Sequence, residues 1–229
     1  MIARRRRGQR RGVAPTLPTR SFQATTFNGT AQTTYTFASQ NIGSASANRY
    51  VIVAVALYYG PARTISSVTV GGVAATVIPN GVTVSNTFTY RMAFYIAAVP
   101  TGTTASVVVT ASGACDACAI SVWSAYDLNS ATAVDSDNDT GGPSPLSAPS
   151  VNTSADGFLL AAGTYVRNTG TAAFGWTNAT ERSDVSSSFS GATAGNSAAD
   201  ADTNGAGVAV SATIAGTIDA GVLVVASFR

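Results

Sequence analysis

The feature that most constrains the fold is the run from Ile65 to Ile78, in which two short β-branched segments flank the pair Gly71-Gly72. On both sides of the glycines, Val and Ile alternate with small or polar residues, as they do in half-buried strands. Glycine supplies the positive φ that a two-residue turn requires, so the run predicts a tight β-hairpin. The same order of strand, small turn and strand recurs along the chain, which favours an all-β fold.

A second strong pattern is the near-continuous apolar run Tyr50–Tyr59, which predicts a central strand buried on both faces. Other segments alternate apolar and polar residues between Gly, Pro and Asn turns. They predict about a dozen strands, at 32–37, 50–59, 65–70, 73–77, 88–99, 105–111, 117–126, 157–166, 172–176, 180–185, 193–199, 208–214 and 222–228. The predicted fold is an antiparallel β-sandwich, jelly-roll-like, with an extended N-terminal arm. The apolar openings of the strands at 50 and 157 also predict a pseudo-symmetry of two sheets.

The arm is predicted from the distribution of charge. All 13 cations are Arg, and seven of them lie in the first twenty residues: Arg4, Arg5, Arg6, Arg7, Arg10, Arg11 and Arg20. The remaining chain has six Arg against 11 acids, a net charge of −5. Clustered Arg, together with Gly and Pro, disfavours a helix, so residues 1–20 are expected to form a basic arm. Residues 21–229 are expected to form one β-sandwich domain, with an irregular connection at about 129–150.

The sequence also bears on membrane association. No stretch approaches the roughly 18 apolar residues of a membrane span. The basic start is not followed by the apolar segment of a secretory signal. We therefore expect no membrane partner.

Catalytic options are few. The chain has neither His nor Lys, which excludes Ser-His and Ser-Lys nucleophiles. A carboxylate pair, as glycoside hydrolysis uses, is the remaining enzymatic option. The candidate acids are Asp135, Asp137, Asp139, Asp184, Asp200, Asp202 and Glu181. Most of them fall in predicted loops and the sequence brings no two together, so we expect no enzymatic activity and no cofactor.

Three of these acids have the spacing of a calcium loop. Asp135, Asp137 and Asp139 alternate, and alternate carboxylates can converge on one cation. The rest of the helical calcium motif fails, because Thr140 stands where its glycine would be and Leu146 stands where its glutamate would be. The expectation is therefore no metal, with a calcium site in a β-loop and a solvated turn as the alternatives.

The two cysteines, Cys115 and Cys118, have C-x-x-C spacing. A zinc site needs a second pair or histidines, and a redox motif needs a βαβ context. Two free thiols are expected, with a local disulfide as the alternative.

Several aromatic residues lie on predicted strands. Such residues either line a sugar-binding face or belong to the core, and the core is the expectation here. They are Tyr58, Tyr59, Phe94, Tyr95, Trp123 and Trp176.

Three segments together carry a family resemblance: residues 63–78, residues 94–109 and residues 119–126. They resemble a set of β-sandwich proteins encoded among the virion genes of tailed bacteriophages and related gene-transfer particles. The resemblance covers roughly residues 45–229 and rests on hairpin patterns, so no functional residue is transferred from it. It implies a structural role on a particle, as a capsid decoration, head-fibre or tail accessory protein. The Arg-rich arm is a departure from that set.

Three functions follow from the body and the arm. The first is a non-enzymatic virion component that is made in the host cytoplasm and forms a homo-oligomer. Its arm would anchor it to other virion proteins through Arg4, Arg5, Arg6, Arg7, Arg10 and Arg11. The second is a jelly-roll capsid protein whose arm binds packaged nucleic acid. The third is a receptor- or glycan-binding module.

Overall fold

A computed structural model describes residues 16–59, 63–84, 89–140, 144–168, 170–205, 207–218 and 220–229. In these ranges the chain forms strands and turns and no helix. The described residues therefore contain no helix long and apolar enough to cross a membrane. The strands are β1 (Thr19–Asn28), β2 (Gln32–Asn41), β3 (Arg49–Tyr59), β4 (Ile65–Val70), β5 (Val73–Ala74), β6 (Thr76–Val77), β7 (Val82–Val84), β8 (Thr89–Ala98), β9 (Thr104–Cys115), β10 (Ala117–Tyr126), β11 (Asp135–Thr140), β12 (Leu146–Val151), β13 (Gly157–Arg167), β14 (Phe174–Thr177), β15 (Thr180–Phe189), β16 (Ala192–Thr203), β17 (Val208–Ile214) and β18 (Ala220–Phe228).

The strands form four antiparallel sheets. The first inner sheet has the order β1-β10-β3-β8-β6, with β7 also paired to β8, and the first outer sheet has the order β2-β9-β4-β5. The second inner sheet has the order β11-β18-β13-β16-β15, and the second outer sheet has the order β12-β17-β14. The all-β, antiparallel sandwich predicted from the sequence is confirmed.

Three apolar cores hold these sheets together as four layers. One core lies between the first inner and first outer sheets, and another lies between the second inner and second outer sheets. The third core lies between the two inner sheets, and we call this contact the seam. Residues of β3 show why the run is apolar on both faces: Val51 and Val53 belong to the first sandwich core, whereas Ile52 and Ala54 belong to the seam.

The two halves repeat one strand order. In each half the first and third strands flank the last strand in the inner sheet, and the second and fourth strands flank the second-to-last strand in the outer sheet. β3 and β13, the strands with similar apolar openings, are both central in their inner sheets. The two strands whose similar apolar openings were noted in the sequence therefore occupy equivalent positions in the two halves of the fold.

The hairpin at Gly71-Gly72 is confirmed. Val70 pairs with Val73 and Thr69 pairs with Ala74, so the two glycines are the whole turn. Their φ angles are +58° and +81°, as a two-residue hairpin turn with positive φ at both positions requires.

Two predicted boundaries differ from the structure. β1 starts at Thr19, inside the predicted arm, because its Ser, Thr and Gln residues pair along β10 without a strong apolar alternation. The predicted irregular connection at 129–150 contains β11 and most of β12, which are edge strands rich in Asp, Ser and Pro. β11 has no apolar residue, so its sequence resembles a loop. β12 does bury Leu146, Ala148 and Val151, but its Ser and Pro residues hide the alternation.

Candidate functional site

The base of the arm is the part of the predicted anchoring site that the structure describes. Arg4, Arg5, Arg6, Arg7, Arg10 and Arg11 lie outside the described residues. The described chain begins at Thr16 and enters β1 at Thr19, and β1 pairs with β10 along its length. Any force on the arm is therefore transmitted first to an edge strand of the first inner sheet.

A charged cluster fixes this strand to the second half of the molecule. Arg20 Nη2 lies 2.8 Å from Asp200 Oδ1, and Arg20 Nη1 also bonds to Asp202. Arg182 donates through Nη2 to Asp200 Oδ1 at 2.8 Å and through Nε to Asp200 Oδ2 at 3.0 Å. Asp200 thus receives two guanidinium groups, one from β1 and one from the neighbouring strand β15. We call Arg20, Arg182, Asp200 and Asp202 the seam cluster.

Burial makes the seam cluster more than a surface ion pair. The side chain of Asp200 is 2 % exposed and that of Arg20 is 11 % exposed, whereas Asp202 is 92 % exposed. Trp123 Nε1 also donates to Asp200 Oδ2 at 3.3 Å, and Arg20 lies over the ring of Phe158. A buried carboxylate needs such partners, because an unpaired charge at low dielectric is costly. The hydrogen bond to Asp200 also raises the pKa of Arg182.

The cluster lines an open cleft of about 450 Å³ together with Ser21 and Phe22. Its two guanidinium groups are already matched by two carboxylates, so the cleft presents no surplus charge of either sign. The arrangement is suited to holding β1 against the second half.

A second polar contact crosses the seam. The hydroxyl of Tyr58 donates to Asn196 Oδ1 at 2.5 Å and lies 2.6 Å from Thr164 Oγ1. All three side chains are buried. Burial raises the pKa of Tyr58, so this hydroxyl stays protonated and remains a donor. Together with Asp200, this contact gives the seam specific polar pairings within an otherwise apolar interface.

The calcium candidates lie on the edge strand β11. Asp135 Oδ1 and Asp137 Oδ1 accept hydrogen bonds from the next residue's backbone N–H. Asp135 Oδ2 also accepts from the backbone of Asn152, and Asp139 Oδ2 accepts from that of Ser147. No group of three or more acidic or Cys side chains suited to a metal occurs in the described part of the chain. These carboxylates occupy edge amides and join β11 to β12, which blunts the edge against strand addition.

The other candidate acids fall into two groups, one on β15 and one in the seam cluster. Asp184 Oδ2 accepts the backbone N–H of Phe174, and desolvation raises the pKa of Asp184. Desolvation, and next the nearby Asp184, also raises the pKa of Glu181. Asp200 and Asp202 belong to the seam cluster. Of the acids considered for a glycosidase pair, the Asp residues accept hydrogen bonds from backbone amides or pair with arginines. Glu181 lies on β15 with Asp184 nearby.

The cysteines are free thiols, as expected, and both are buried. Burial raises the pKa of Cys115 to about 11 and that of Cys118 well above its ordinary value. Because the thiolate is the reactive form, these raised pKa values lower the reactivity of both thiols at neutral pH.

The aromatic residues are core, as expected, with one exception. Tyr58, Tyr59, Phe94, Tyr95 and Trp123 are buried. Trp176 is partly buried against the second sandwich core and donates through Nε1 to Ser197 Oγ at 2.9 Å.

The seam cluster was not found as a unit from sequence. Sequence patterns place Arg20 in the arm and end the nearest predicted strand at residue 199, just before Asp200. The only sequence signal was the low number of charges, which makes each acid inside an Ala-rich strand unusual.

Comparison of the chain with models of protein families, with curated proteins and with solved structures finds no match. The resemblance to phage virion proteins stays a prediction.

Proposed function

We propose that the protein is a non-enzymatic virion structural subunit, a capsid decoration or head-fibre protein, that anchors to its particle through the Arg-rich arm. The observation that carries the proposal is the seam cluster at the base of the arm. The strand that receives the arm is paired along one half and ion-paired to the other half. A load on the arm is then shared by the whole body, which is what an anchored subunit needs.

The arrangement of the body supports the same function. Four sheets enclose three apolar cores, and every long strand pairs with a neighbour along most of its length. Dense packing of this kind gives a rigid body that resists local opening and proteolysis. The shared strand order of the halves supports the finer description of each as a jelly-roll-like sandwich, with the first, last, third and third-to-last strands side by side.

Charge supports anchoring through protein contacts. The arm carries six Arg between residues 4 and 11, and the body is acidic. Arg pairs bidentately with carboxylates and tolerates partial burial, so a basic arm fits the acidic surface of a neighbouring subunit. The proposed partners are therefore other virion proteins and further copies of this chain, in a particle assembled in the host cytoplasm.

The direct test is mass spectrometry of particles purified by density gradient from the producing host. The protein should be present in a fixed copy number per particle, and it should remain bound after nuclease treatment. Absence from purified particles would overturn the proposal.

The alternative partner is the packaged genome. If about six Arg contact phosphates, affinity for nucleic acid falls with a log–log salt slope near −5. A mobility shift of the full chain with that slope, lost when the six arm Arg are replaced by Ser, would support the genome-binding alternative. No shift at physiological salt would reject it.

A further inference from the structure

We propose that a cleft between β4 and β8, the β4–β8 cleft, binds an acidic sugar, that is, a saccharide unit that carries a carboxylate. In this assignment Arg91 and Tyr95 hold the carboxylate, and Ser66, Ser67 and Thr69 offer their hydroxyls to the sugar. The inference adds ligand binding to the proposed structural role and does not depend on that role.

The cleft lies at the edge of the first sandwich, between its outer and inner sheets. β5 covers only the end of β4, because Thr69 and Val70 are the residues of β4 that pair with it. On the inner sheet, β6 pairs with β8 only through Thr76 and Val77. These short strands leave the space between β4 and β8 open. Its volume is about 350 Å³, at the lower end of the roughly 300–1,000 Å³ that small-ligand sites occupy.

Arg91 is the only charged residue that lines the cleft among the residues that the structure describes. The ion pairs in that part of the chain join Arg20 and Arg182 to Asp200 and Asp202, and none of them involves Arg91. The sequence also has no Asp or Glu before residue 116, so the first half offers few carboxylates. A half-buried guanidinium without an internal carboxylate is available to an external one, which it holds through two parallel hydrogen bonds.

Tyr95 gives an independent indication of a ligand. It lies on the same face of β8 as Arg91, because alternate residues of a strand face the same side. Tyr95 is only 7 % exposed and packs in the first sandwich core, yet its hydroxyl has no hydrogen-bond partner in the described part of the chain. Buried polar groups normally have such a partner. Burial raises the pKa of Tyr95 and the charge of Arg91 opposes this shift, so the two groups lie close together and the hydroxyl stays a donor.

The β4 side of the cleft is rich in hydroxyl groups. Ser66, Ser67 and Thr69 line it, and their hydroxyls form no hydrogen bond with other described residues. A hydroxyl both donates and accepts, as binding to sugar hydroxyls requires. Val77 also lines the cleft and is 52 % exposed, so it offers an apolar contact to the C–H groups of a sugar ring. One cation, several hydroxyls and an apolar contact together fit an acidic sugar better than a bare inorganic anion.

Titration of the purified full chain with D-glucuronate, followed by two-dimensional amide NMR, gives the first test. We expect saturable shifts of amide signals from β4 and β8. D-glucose, the neutral analogue, should bind about tenfold more weakly or less, because it lacks the charge-assisted hydrogen bonds to Arg91. The absence of saturable shifts with glucuronate, or shifts confined to other strands, would overturn the inference.

Two variants and a matched control test the residues. Arg91→Gln removes the cation and should lower the affinity for glucuronate by about tenfold or more. Tyr95→Phe keeps the ring in the core, removes the donor and should lower the affinity about three- to tenfold. Arg63→Gln is the control, because Arg63 is also half-buried in the first half but donates to the Ala114 carbonyl and does not line the cleft. Unchanged affinity in both test variants, or an equal loss in the control, would overturn the assignment.

Inorganic phosphate distinguishes a sugar site from a general anion site. Phosphate should compete with glucuronate only weakly, because it makes no use of the apolar contact and of most of the hydroxyls. Equal affinities for phosphate and glucuronate would overturn the assignment of a sugar. All of these measurements use the isolated chain, so their outcome is independent of the proposed function, whose failure is the absence of the protein from particles.

Discussion

The two halves of the molecule share a strand order, but one pair of equivalent inner strands differs in side-chain size, with large residues on β8 and small residues on β16. β8 and β16 both lie beside the central strand of their inner sheet. At the seam β8 presents Tyr90, Met92, Phe94 and Ile96, whereas β16 presents Ala192, Ala194, Asn196, Ala198 and Asp200. The two strands do not face each other, because across the seam β16 lies against β1 and β8 lies against β18. The small residues of β16 leave room for large side chains of the first half, and Tyr58 and Trp123 reach its polar residues there.

The small residues of β16 also leave space for side chains of the paired strand β13. A Cβ atom at Gly195 would lie 2.0 Å from the ring of Tyr165 on the paired strand. Tyr165 is fully buried and its hydroxyl donates to the carbonyl of Ala172. Glycine at 195 thus makes room for this ring. The small residues of β16 are therefore set by the large side chains around them, and its polar seam residues take partners from the first half.

The largest effect is expected from removing the seam carboxylate. Asp200→Ala leaves Arg20 buried with only the exposed Asp202 as a carboxylate partner, so we expect a loss of about 3–5 kcal/mol in the free energy of unfolding. The matched control is Asp202→Ala, whose exposed side chain should contribute no more than about 1 kcal/mol. Urea unfolding measures both. Equal, small losses would show that the seam cluster does not join the halves.

A smaller effect is expected at the second polar contact. Tyr58→Phe keeps the ring in the seam but removes the donor to the buried Asn196 Oδ1. An unsatisfied buried acceptor costs about 1–3 kcal/mol. Tyr35→Phe is a control within the first sandwich, because that hydroxyl donates to the Cys115 carbonyl and does not touch the seam. A neutral Tyr58→Phe would mean that Asn196 is satisfied without Tyr58.

A pH effect distinguishes the two edge strands. Glu181 and Asp184 lie on β15, whereas β6, the edge strand at the equivalent position of the first inner sheet, carries no acid. Both acids have raised pKa values, so the folded state binds their protons more tightly than the unfolded state does. Stability should therefore fall as pH rises through the window that begins near the ordinary Asp value of 3.8. Asp184→Asn should lessen this fall and move the pKa of Glu181 part of the way back to its ordinary value. Carboxyl NMR titration measures the change, and an unmoved Glu181 would contradict it.

The smallest effect is a chemical one, without change in stability. Cys115 and Cys118 lie in the core of the first sandwich, with raised pKa values. At pH 8 iodoacetamide should leave both unmodified until the protein is unfolded, as read by intact mass. Rapid labelling of the folded protein would show that the first sandwich opens locally.

Sequence patterns predict the strands that have a clear apolar run or a clear alternation of apolar and polar residues. β3, β10 and β17 were predicted almost to the residue, because their apolar runs or alternation decide their environment. β16 was predicted only in part, since its Ala, Gly, Ser and Asn residues are buried by the side chains of other strands. β1 and β11 escape prediction because edge strands need little apolar surface, and β12 escapes it because Ser and Pro149 interrupt its buried apolar residues. The seam cluster depends on contacts between residues as far apart as Arg20 and Asp200, and no local pattern encodes such a contact.

Incorporation of an arm variant into particles tests whether the arm anchors the rigid body to a particle. Particles would be produced with the wild type and with a variant in which Arg4, Arg5, Arg6, Arg7, Arg10 and Arg11 are replaced by Ser, and the copies per particle would be counted by quantitative mass spectrometry. We expect the variant to keep the melting temperature of the wild type and to be lost from the particles. Equal incorporation of both proteins, or absence of both, would contradict it.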